Sequence, residues 1–337
     1  MRLVGVVLAS VLVVAAAARA QDIPATVTWS DSHLDIRAVD PAGTAYALNL
    51  DGSFSQIWAS TDDARTWTAR GRDPLGYSFK FMTALADGTL LAEVQGGGGF
   101  TITRSTDHGA TWKHVLSLGQ YEVLTPHIWA ESRGTAYLLE YQSSTQASVP
   151  IRPWASTDSG ATWSVRHTFE GHRHGHSIRV DPSGRLWAFF GDLDAQCTIL
   201  RSSDGGTTWT TVLAGSQQAR VADTVFLANV DILYKQDIPD LPASPHIIRM
   251  TPDGVQTDLG PLPGPSYSIH ALPTGGFLLG ETREPTGTVY APNDVSAHLF
   301  GSADGTSWAE LGAYPRIDAA DYARADVTGC CAAARSW

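Results

Sequence analysis

The segment EGHRHGH, residues 170–176, holds the densest group of side chains that could do chemistry: Glu170, His172, His174 and His176. Alternate residues of an extended chain point to one side, so the three histidines would share a direction. General acid–base catalysis, sugar binding and metal ligation all require such convergence. A polar loop with solvent-facing histidines is the other interpretation. Because no cysteine and no second His-x-His motif supports metal ligation, we expect neither a metal nor another cofactor.

The chain around this segment is built from repeats. A phrase of the form Ser-x-Asp-x-Gly-x-Thr-Trp occurs as RSTDHGATW (104–112), ASTDSGATW (155–163) and RSSDGGTTW (201–209). Near copies lie at 59–67 and 301–308, and an eroded copy lies at 250–258. Copies that recur roughly every 48 residues indicate a repeat architecture.

A second motif runs in step with the first. Before each copy the sequence pairs a turn with an apolar strand, as in DPAGTAYAL (40–48) and DPSGRLWAFF (181–190). Each unit therefore contains four strands, with the Asp phrase between the third and the fourth. Four antiparallel strands in about 48 residues are typical of a propeller blade. We predict an all-β fold, a six-bladed β-propeller of four-stranded antiparallel blades over residues 21–317, followed by an irregular C-terminal tail at 318–337.

The repeated phrase resembles the Asp-box, or BNR repeat, of the sialidase superfamily, and the resemblance covers residues from about 30 to 315. It implies that each box is a turn between the third and fourth strands of a blade. The residue types also suit local structural tasks, since Asp and Ser accept backbone hydrogen bonds in turns and Gly permits positive φ. We therefore expect Asp107 and Asp158 to be structural rather than catalytic.

The resemblance also implies a catalytic set. Sialidases use three arginines to clamp a carboxylate, a tyrosine nucleophile paired with a glutamate, and an aspartate acid/base. Tyr267, in SYSIHALPTGGFLLGE (266–281), matches the nucleophile position, and Arg37 lies roughly where the first clamp arginine would be. The family's Arg-Ile-Pro is absent, and Glu170 is the only glutamate in the expected region that could serve Tyr267 as a partner. The set is therefore incomplete.

Propeller geometry sorts the loops into two faces. Turns between first and second strands share a face with the Asp phrases, so a binding site is expected on the opposite face, called the loop face here. Its segments include GDLDAQC (191–197) and KQDIPDLPASPH (235–246). Positions just before the innermost strands should ring the channel, and these are His33, Lys80, His127, His176, Asp223 and Tyr267. We predict as catalytic residues Tyr267, Glu170, His176 and Arg37, and as ligand-binding residues His127, His172, His174 and Arg179.

Charge and the N-terminus restrict partners and location. The formal net charge is −11 and no basic run occurs, which argues against nucleic acid as a partner. In residues 1–20 one arginine precedes an apolar run, and a small-x-small cleavage site follows it, the pattern of a signal peptide. We predict a secreted or periplasmic monomer without a membrane span after removal of that peptide.

These features predict a sialidase-like Asp-box propeller that binds extracellular carbohydrate through its loop face. The prediction leaves open whether the carbohydrate is also processed. The alternative is an active enzyme, either a glycoside hydrolase of the exo-sialidase kind or a polysaccharide lyase, that uses Tyr267 with His176 or Glu170.

Overall fold

The computed structural model describes residues 11–15, 25–29, 34–49, 54–123, 129–143, 148–238, 245–262, 264–273, 275–283, 296–315 and 323–324. Regular structure in these ranges is almost entirely β. Short 3₁₀ turns occur at Asp194–Gln196 and Gln217–Ala219. No helix in the described part of the chain has the length and apolar character needed to cross a membrane.

The first half of the chain forms three blades after an initial strand pair. The pair consists of β1 (Val11–Ala15) and β2 (Ala25–Trp29). Blade 1 contains β3 (Leu34–Val39), β4 (Ala45–Asn49), β5 (Ile57–Ser60) and β6 (Thr68–Ala69). Blade 2 contains β7 (Ser78–Ala84), β8 (Leu90–Gly96), β9 (Gly99–Ser105) and β10 (Lys113–Gly119). Blade 3 contains β11 (Trp129–Ser132), β12 (Thr135–Leu139), β14 (Pro153–Ser156) and β15 (Ser164–Val165), while β13 (Val149–Ile151) and β16 (Phe169–His172) pair with each other.

The second half adds three more blades. Blade 4 contains β17 (His174–Val180), β18 (Leu186–Gly191), β19 (Thr198–Ser202) and β20 (Thr210–Ala214). Blade 5 contains β21 (Val221–Phe226), β22 (Ile232–Gln236), β23 (His246–Met250) and β24 (Gln256–Pro261). Blade 6 contains β25 (Ser266–Ala271), β26 (Phe277–Arg283), β27 (Ser296–Ser302) and β28 (Ala309–Pro315), and β29 (Ala323–Arg324) pairs with the end of β26.

The six sheets confirm the predicted propeller. Within each sheet the strands lie side by side in sequence order and pair antiparallel. The first strands of neighbouring blades lie against one another, as between β17 and β21 and between β21 and β25. They are therefore the inner strands of the ring. Apolar side chains fill the space between the sheets, and wholly buried Trp187 and Tyr234 belong to one such cluster between blades 4 and 5.

In five of the six blades the repeated phrase forms the turn between the third and fourth strands. We name these the Ser–Asp turns, residues 60–67, 105–112, 156–163, 202–209 and 302–308. In blade 2 the Ser105 hydroxyl accepts from the Gly109 backbone at 3.0 Å, and Trp112 Nε1 donates to the Gly109 carbonyl at 3.1 Å. The eroded copy in blade 5 keeps only the hydrogen bond from the Thr251 hydroxyl to Asp253 and the one it accepts from Val255.

The Ser–Asp turns also connect neighbouring blades. His108 Nδ1, in the turn of blade 2, lies 3.1 Å from Tyr46 Oη of blade 1. Ser159, in the turn of blade 3, donates from its hydroxyl to Asp87 in the β7–β8 turn. Turns between first and second strands therefore share a face with the Ser–Asp turns, as predicted, and the starts of the inner strands lie at the loop face.

The segments before blade 1 and after blade 6 lie mostly outside the described residues. Within the predicted signal peptide only β1 is described, and it pairs with β2. Within the predicted irregular tail only β29 is described. Its two residues pair with Thr282 and Arg283 of β26, which attaches this part of the tail to blade 6.

Candidate functional site

Strand pairing is interrupted in five inner strands, at residues that the sequence singled out as candidates for the functional site. Pairing skips one or two residues in β3, β7, β17, β21 and β25, as β-bulges do. The skipped residues are Arg37, Lys80, Phe81, His176, Ala222, Asp223 and Tyr267. A bulge bends its strand and redirects side chains, and bulges are common next to functional sites. The candidates thus lie inside the inner strands rather than just before them, while His33 and His127 lie outside the described residues.

His174 and His176 meet at the loop-face end of β17. Their Nε2 atoms are 3.1 Å apart. The Asp192 carboxylate, at the end of β18, completes the group, with its oxygens 3.2 Å from His174 Nε2 and 3.2 Å from His176 Nε2. The histidine side chains are 1% and 3% exposed and the Asp192 side chain is 23% exposed. The predicted convergence of alternate histidines therefore holds for this pair.

Backbone carbonyls fix how the two imidazoles are protonated. His174 Nδ1 lies 3.0 Å from the Gln142 carbonyl oxygen, and His176 Nδ1 lies 3.2 Å from the Val221 carbonyl oxygen. A carbonyl can only accept, so each Nδ1 carries the hydrogen. Burial lowers the pKa of His174, and Tyr141 stacks on its ring at 4.1 Å. A neutral His174 in this tautomer has a lone pair on Nε2, directed at the shared centre.

Two arginines hold the Asp192 carboxylate. Arg173 Nη1 donates to Asp192, and Arg220 Nη2 lies 3.1 Å from Asp192 Oδ1. Arg220 Nε also donates to Asp237 at 3.2 Å, so two arginines face two aspartates. Burial acts to raise the pKa of Asp192, but interactions with His174 and His176 outweigh it and hold that pKa far below its usual range. Asp192 is therefore an ionised acceptor and not a proton donor.

The other two candidates in EGHRHGH are placed elsewhere. His172 stacks on Phe190 at 4.3 Å, and its Nδ1 lies 3.1 Å from the Gln196 carbonyl oxygen. Glu170 is exposed on β16. The pKa of Tyr121 is raised by burial first and by the charges of Glu140 and Glu170 next, which places Glu170 near Tyr121. Of the four candidate residues in EGHRHGH, only His174 and His176 therefore lie next to each other.

Arg179 connects three inner strands. Its Nε donates to Asp223 Oδ1 on β21 at 2.8 Å. Asp223 Oδ2 accepts from the Ile269 backbone on β25 at 2.9 Å. Burial raises the pKa of Asp223, and the Arg179 charge opposes that rise. This contact gives Arg179 a structural task in addition to its predicted place beside the channel.

Arg37 and Tyr267 are separated from the histidine pair. Arg37 pairs with Asp35 on the same strand and lies 5.1 Å from the centre of the Phe81 ring. Tyr267 is half-buried on the inner strand of blade 6. Within the described residues Glu170 forms no hydrogen bond with Tyr267, so a partnership between the two stays a prediction.

Sequence reasoning missed three members of the cluster around His174 and His176, namely Arg173, Asp192 and Asp237, and it considered Arg220 only as a possible clamp arginine. Asp192 and Asp237 do lie in segments assigned to the loop face, which was the available signal. Their convergence depends on how three blades meet, and no spacing in the sequence encodes it. The fold and this cluster define a six-bladed β-propeller with a buried polar centre at the loop-face end of blade 4.

Comparisons with known proteins agree on the fold. No protein-family model matches this sequence, and no curated protein sequence matches it. Among solved structures, the GH74 enzyme of Niastella koreensis superposes with a TM-score of 0.59 at 14% identity, over 82% of this chain and 45% of that one. Virginiamycin B lyase of Staphylococcus aureus gives 0.55 at 14% identity, over 86% of each chain. TolB of Acinetobacter baumannii gives 0.52 at 12% identity, over 84% of this chain and 66% of that one.

These similarities show the fold of the protein and not its function. The chain spans 45% of the length of the GH74 structure it matches. Identities between 12% and 14% show a shared propeller fold, and a propeller fold serves unrelated functions. Function must therefore be argued from the site.

Proposed function

We propose that this protein is a secreted, sialidase-like Asp-box propeller that binds extracellular carbohydrate at its loop face. The observation that carries the proposal is the polar centre of His174, His176 and Asp192 at the loop-face end of blade 4. Sugars present hydroxyl groups that both donate and accept hydrogen bonds. Imidazoles, a carboxylate and guanidinium groups within one small volume offer both kinds of partner.

The surroundings of the polar centre also suit a sugar. The Tyr141 ring stacks on His174, and the Asp192 side chain keeps a partly exposed surface through which a ligand can reach the cluster. Rigid inner strands, rather than long loops alone, present these groups, which limits the ordering that binding requires. The likeness to GH74 enzymes adds that a propeller of this kind can act on glycosides.

Binding without cleavage is favoured over glycoside hydrolysis. A glycosidase needs one carboxyl group that stays protonated as an acid and a second that acts as base or nucleophile. Asp192 is ionised by its basic neighbours. Tyr267 is not hydrogen-bonded to Glu170, the one glutamate that the sequence offered it.

A polysaccharide lyase is the second candidate, and one observation favours it. Burial keeps His174 neutral, and its Nε2 lone pair is available as a base. A neutral histidine at the channel mouth could abstract the proton beside a uronate carboxylate. Such a reaction leaves an unsaturated sugar, which absorbs in the ultraviolet.

The test is a glycan array followed by calorimetry with the best ligands, using the secreted chain and the variants His176→Gln and Tyr267→Phe. His172→Gln is the matched control, because His172 lies in the same segment but outside the polar centre. We expect a reproducible carbohydrate ligand whose affinity falls at least tenfold in His176→Gln and is unchanged in His172→Gln. Absence of any ligand, or equal affinity in all variants, would refute the proposal, and an ultraviolet-absorbing product would establish the lyase instead.

A further inference from the structure

Nitrogen and oxygen atoms that can bind a metal ion meet at the loop-face end of blade 4. Both Nδ1 atoms of the pair donate to carbonyl oxygens, so each Nε2 atom is the ring nitrogen left to bind an ion. The two Nε2 atoms lie 3.1 Å apart, and each lies 3.2 Å from a different oxygen of Asp192. Ligand atoms held this close together surround a position that a cation would occupy.

The distances fit one ion. Ligand atoms about 2.0 Å from a tetrahedral zinc ion are about 3.3 Å from one another. The two Nε2 atoms are 3.1 Å apart, His174 Nε2 is 3.2 Å from Asp192 Oδ2, and His176 Nε2 is 3.2 Å from Asp192 Oδ1. The three side chains can therefore bind a common ion with little rearrangement.

The surroundings resemble the outer shell of a metal site. Histidine ligands usually donate their other ring nitrogen to a carbonyl or carboxylate, which fixes the ring and its tautomer. Gln142 and Val221 supply such carbonyls here. Arg173 and Arg220 orient the carboxylate, and each Asp192 oxygen has a further lone pair for a metal.

Charge near the cluster is balanced. Arg173 and Arg220 contribute two positive charges, and Asp192 and Asp237 contribute two negative charges. An incoming cation therefore meets no net positive charge. Asp192 is also the most exposed ligand, at 23%, so the side of the ion next to it is open to water or to a ligand oxygen.

We propose that His174, His176 and Asp192 bind one divalent transition-metal ion, with Zn²⁺ preferred, and leave a coordination position open. Two imidazoles and one carboxylate are ligands that zinc accepts, and an open position is the feature that separates catalytic from structural zinc sites. Sequence analysis found no support for a metal because the third ligand lies on the loop after the next strand. This inference goes beyond carbohydrate binding and does not depend on it.

The experiment uses the tag-free chain, stripped with a chelator and then titrated with Zn²⁺ in a calorimeter. We expect one equivalent to bind to the wild type. We expect a loss of affinity of at least tenfold in His174→Gln, in His176→Gln and in Asp192→Asn. His172→Gln is the matched control and should bind like the wild type. Co²⁺ in place of Zn²⁺ should give the visible absorption of a four-coordinate nitrogen–oxygen site.

Three results would overturn the proposal: no stoichiometric binding by the wild type, wild-type affinity in His176→Gln, or an equal loss in His172→Gln. Circular dichroism of each stripped variant establishes that it is folded. If a histidine variant fails to fold, Asp192→Asn and the wild-type titration still decide, because both keep the imidazole pair. A chain that binds Zn²⁺ but no glycan would retain this inference and refute the proposed function.

Discussion

The Asp107 carboxylate shows what the repeated phrase does at the scale of single residues. It accepts hydrogen bonds from the Ser105 hydroxyl at 2.8 Å, from the Thr111 backbone at 2.8 Å and from the Thr111 hydroxyl at 2.6 Å. Burial is the largest single influence and opposes ionisation, but these bonds together outweigh it and lower the pKa of Asp107 to about 2. The aspartate thus holds a turn together, and it lies on the face opposite the polar centre.

Asp107→Ala should lower the free energy of unfolding by about 1 kcal/mol at neutral pH, since a partly exposed carboxylate gains modestly from its hydrogen bonds. The pKa of Asp107 is about 2 when folded and near 3.8 when unfolded, so this stability is present above pH 4 and is lost as pH falls towards 2. Urea unfolding of both proteins across this range measures it. A difference that stays constant down to pH 2 would contradict the assignment.

At the scale of elements, the Ser–Asp turns act as contacts between blades. Gly160, in the turn of blade 3, has a φ of +79°, and a Cβ there would lie 2.5 Å from Cδ2 of the wholly buried Leu91 in blade 2. Gly88, in the β7–β8 turn, has a φ of +83° and open space around it. Both positions require the left-handed backbone. Only at Gly160 would an added side chain also collide with a neighbour.

Gly160→Ala should therefore destabilise the protein more than Gly88→Ala. Both variants place alanine at positive φ, so that cost cancels between them. The remaining difference is the overpacking against Leu91, which we expect to be about 1–3 kcal/mol. Thermal or denaturant unfolding of the two variants gives the comparison. Equal losses of stability would show that the turn of blade 3 does not pack on blade 2 as described.

The sequence predicted the strands and turns more completely than it predicted the candidate site. Strands and turns follow from local patterns, and the phrase recurs in five blades with the same hydrogen bond from serine to aspartate, so the order of blades was predictable. The convergence of His174 and His176 also follows from alternation along one strand. Asp192 joins them only because β17 and β18 are paired and the loop after β18 returns over their ends. Tyr267 could be assigned to a strand but not to a partner, since partners across the channel depend on tertiary packing.

At the scale of the whole molecule, the described ring runs from β3 to β28, and the strands of each blade follow one another in sequence order, with β13 inserted between two strands of blade 3. No described blade borrows a strand from a distant part of the sequence. The segments outside the ring make limited contacts: β29 pairs with two residues of β26, and β2 lies against β28.

Removal of residues 318–337 should leave the propeller folded. The deletion loses the β29 pairing, which involves only Ala323 and Arg324 among the described residues. We expect the melting temperature to fall by about 2 °C or less, as for the loss of a small part of a large domain. Differential scanning calorimetry of the shortened chain measures this change. A much larger fall would mean that the tail is part of how blade 6 is closed.

The contact from Arg179 through Asp223 to the Ile269 backbone has a consequence for how the ring opens. It joins blades 4, 5 and 6 through two side chains and one backbone amide of their innermost strands. A local fluctuation that releases one of these strands must break a buried ion pair, so the three should exchange their protected amide hydrogens as one cooperative unit. The half of the ring that bears the polar centre would then be the slow-exchanging half. Its rigidity would keep His174, His176 and Asp192 in position while ligands bind and dissociate.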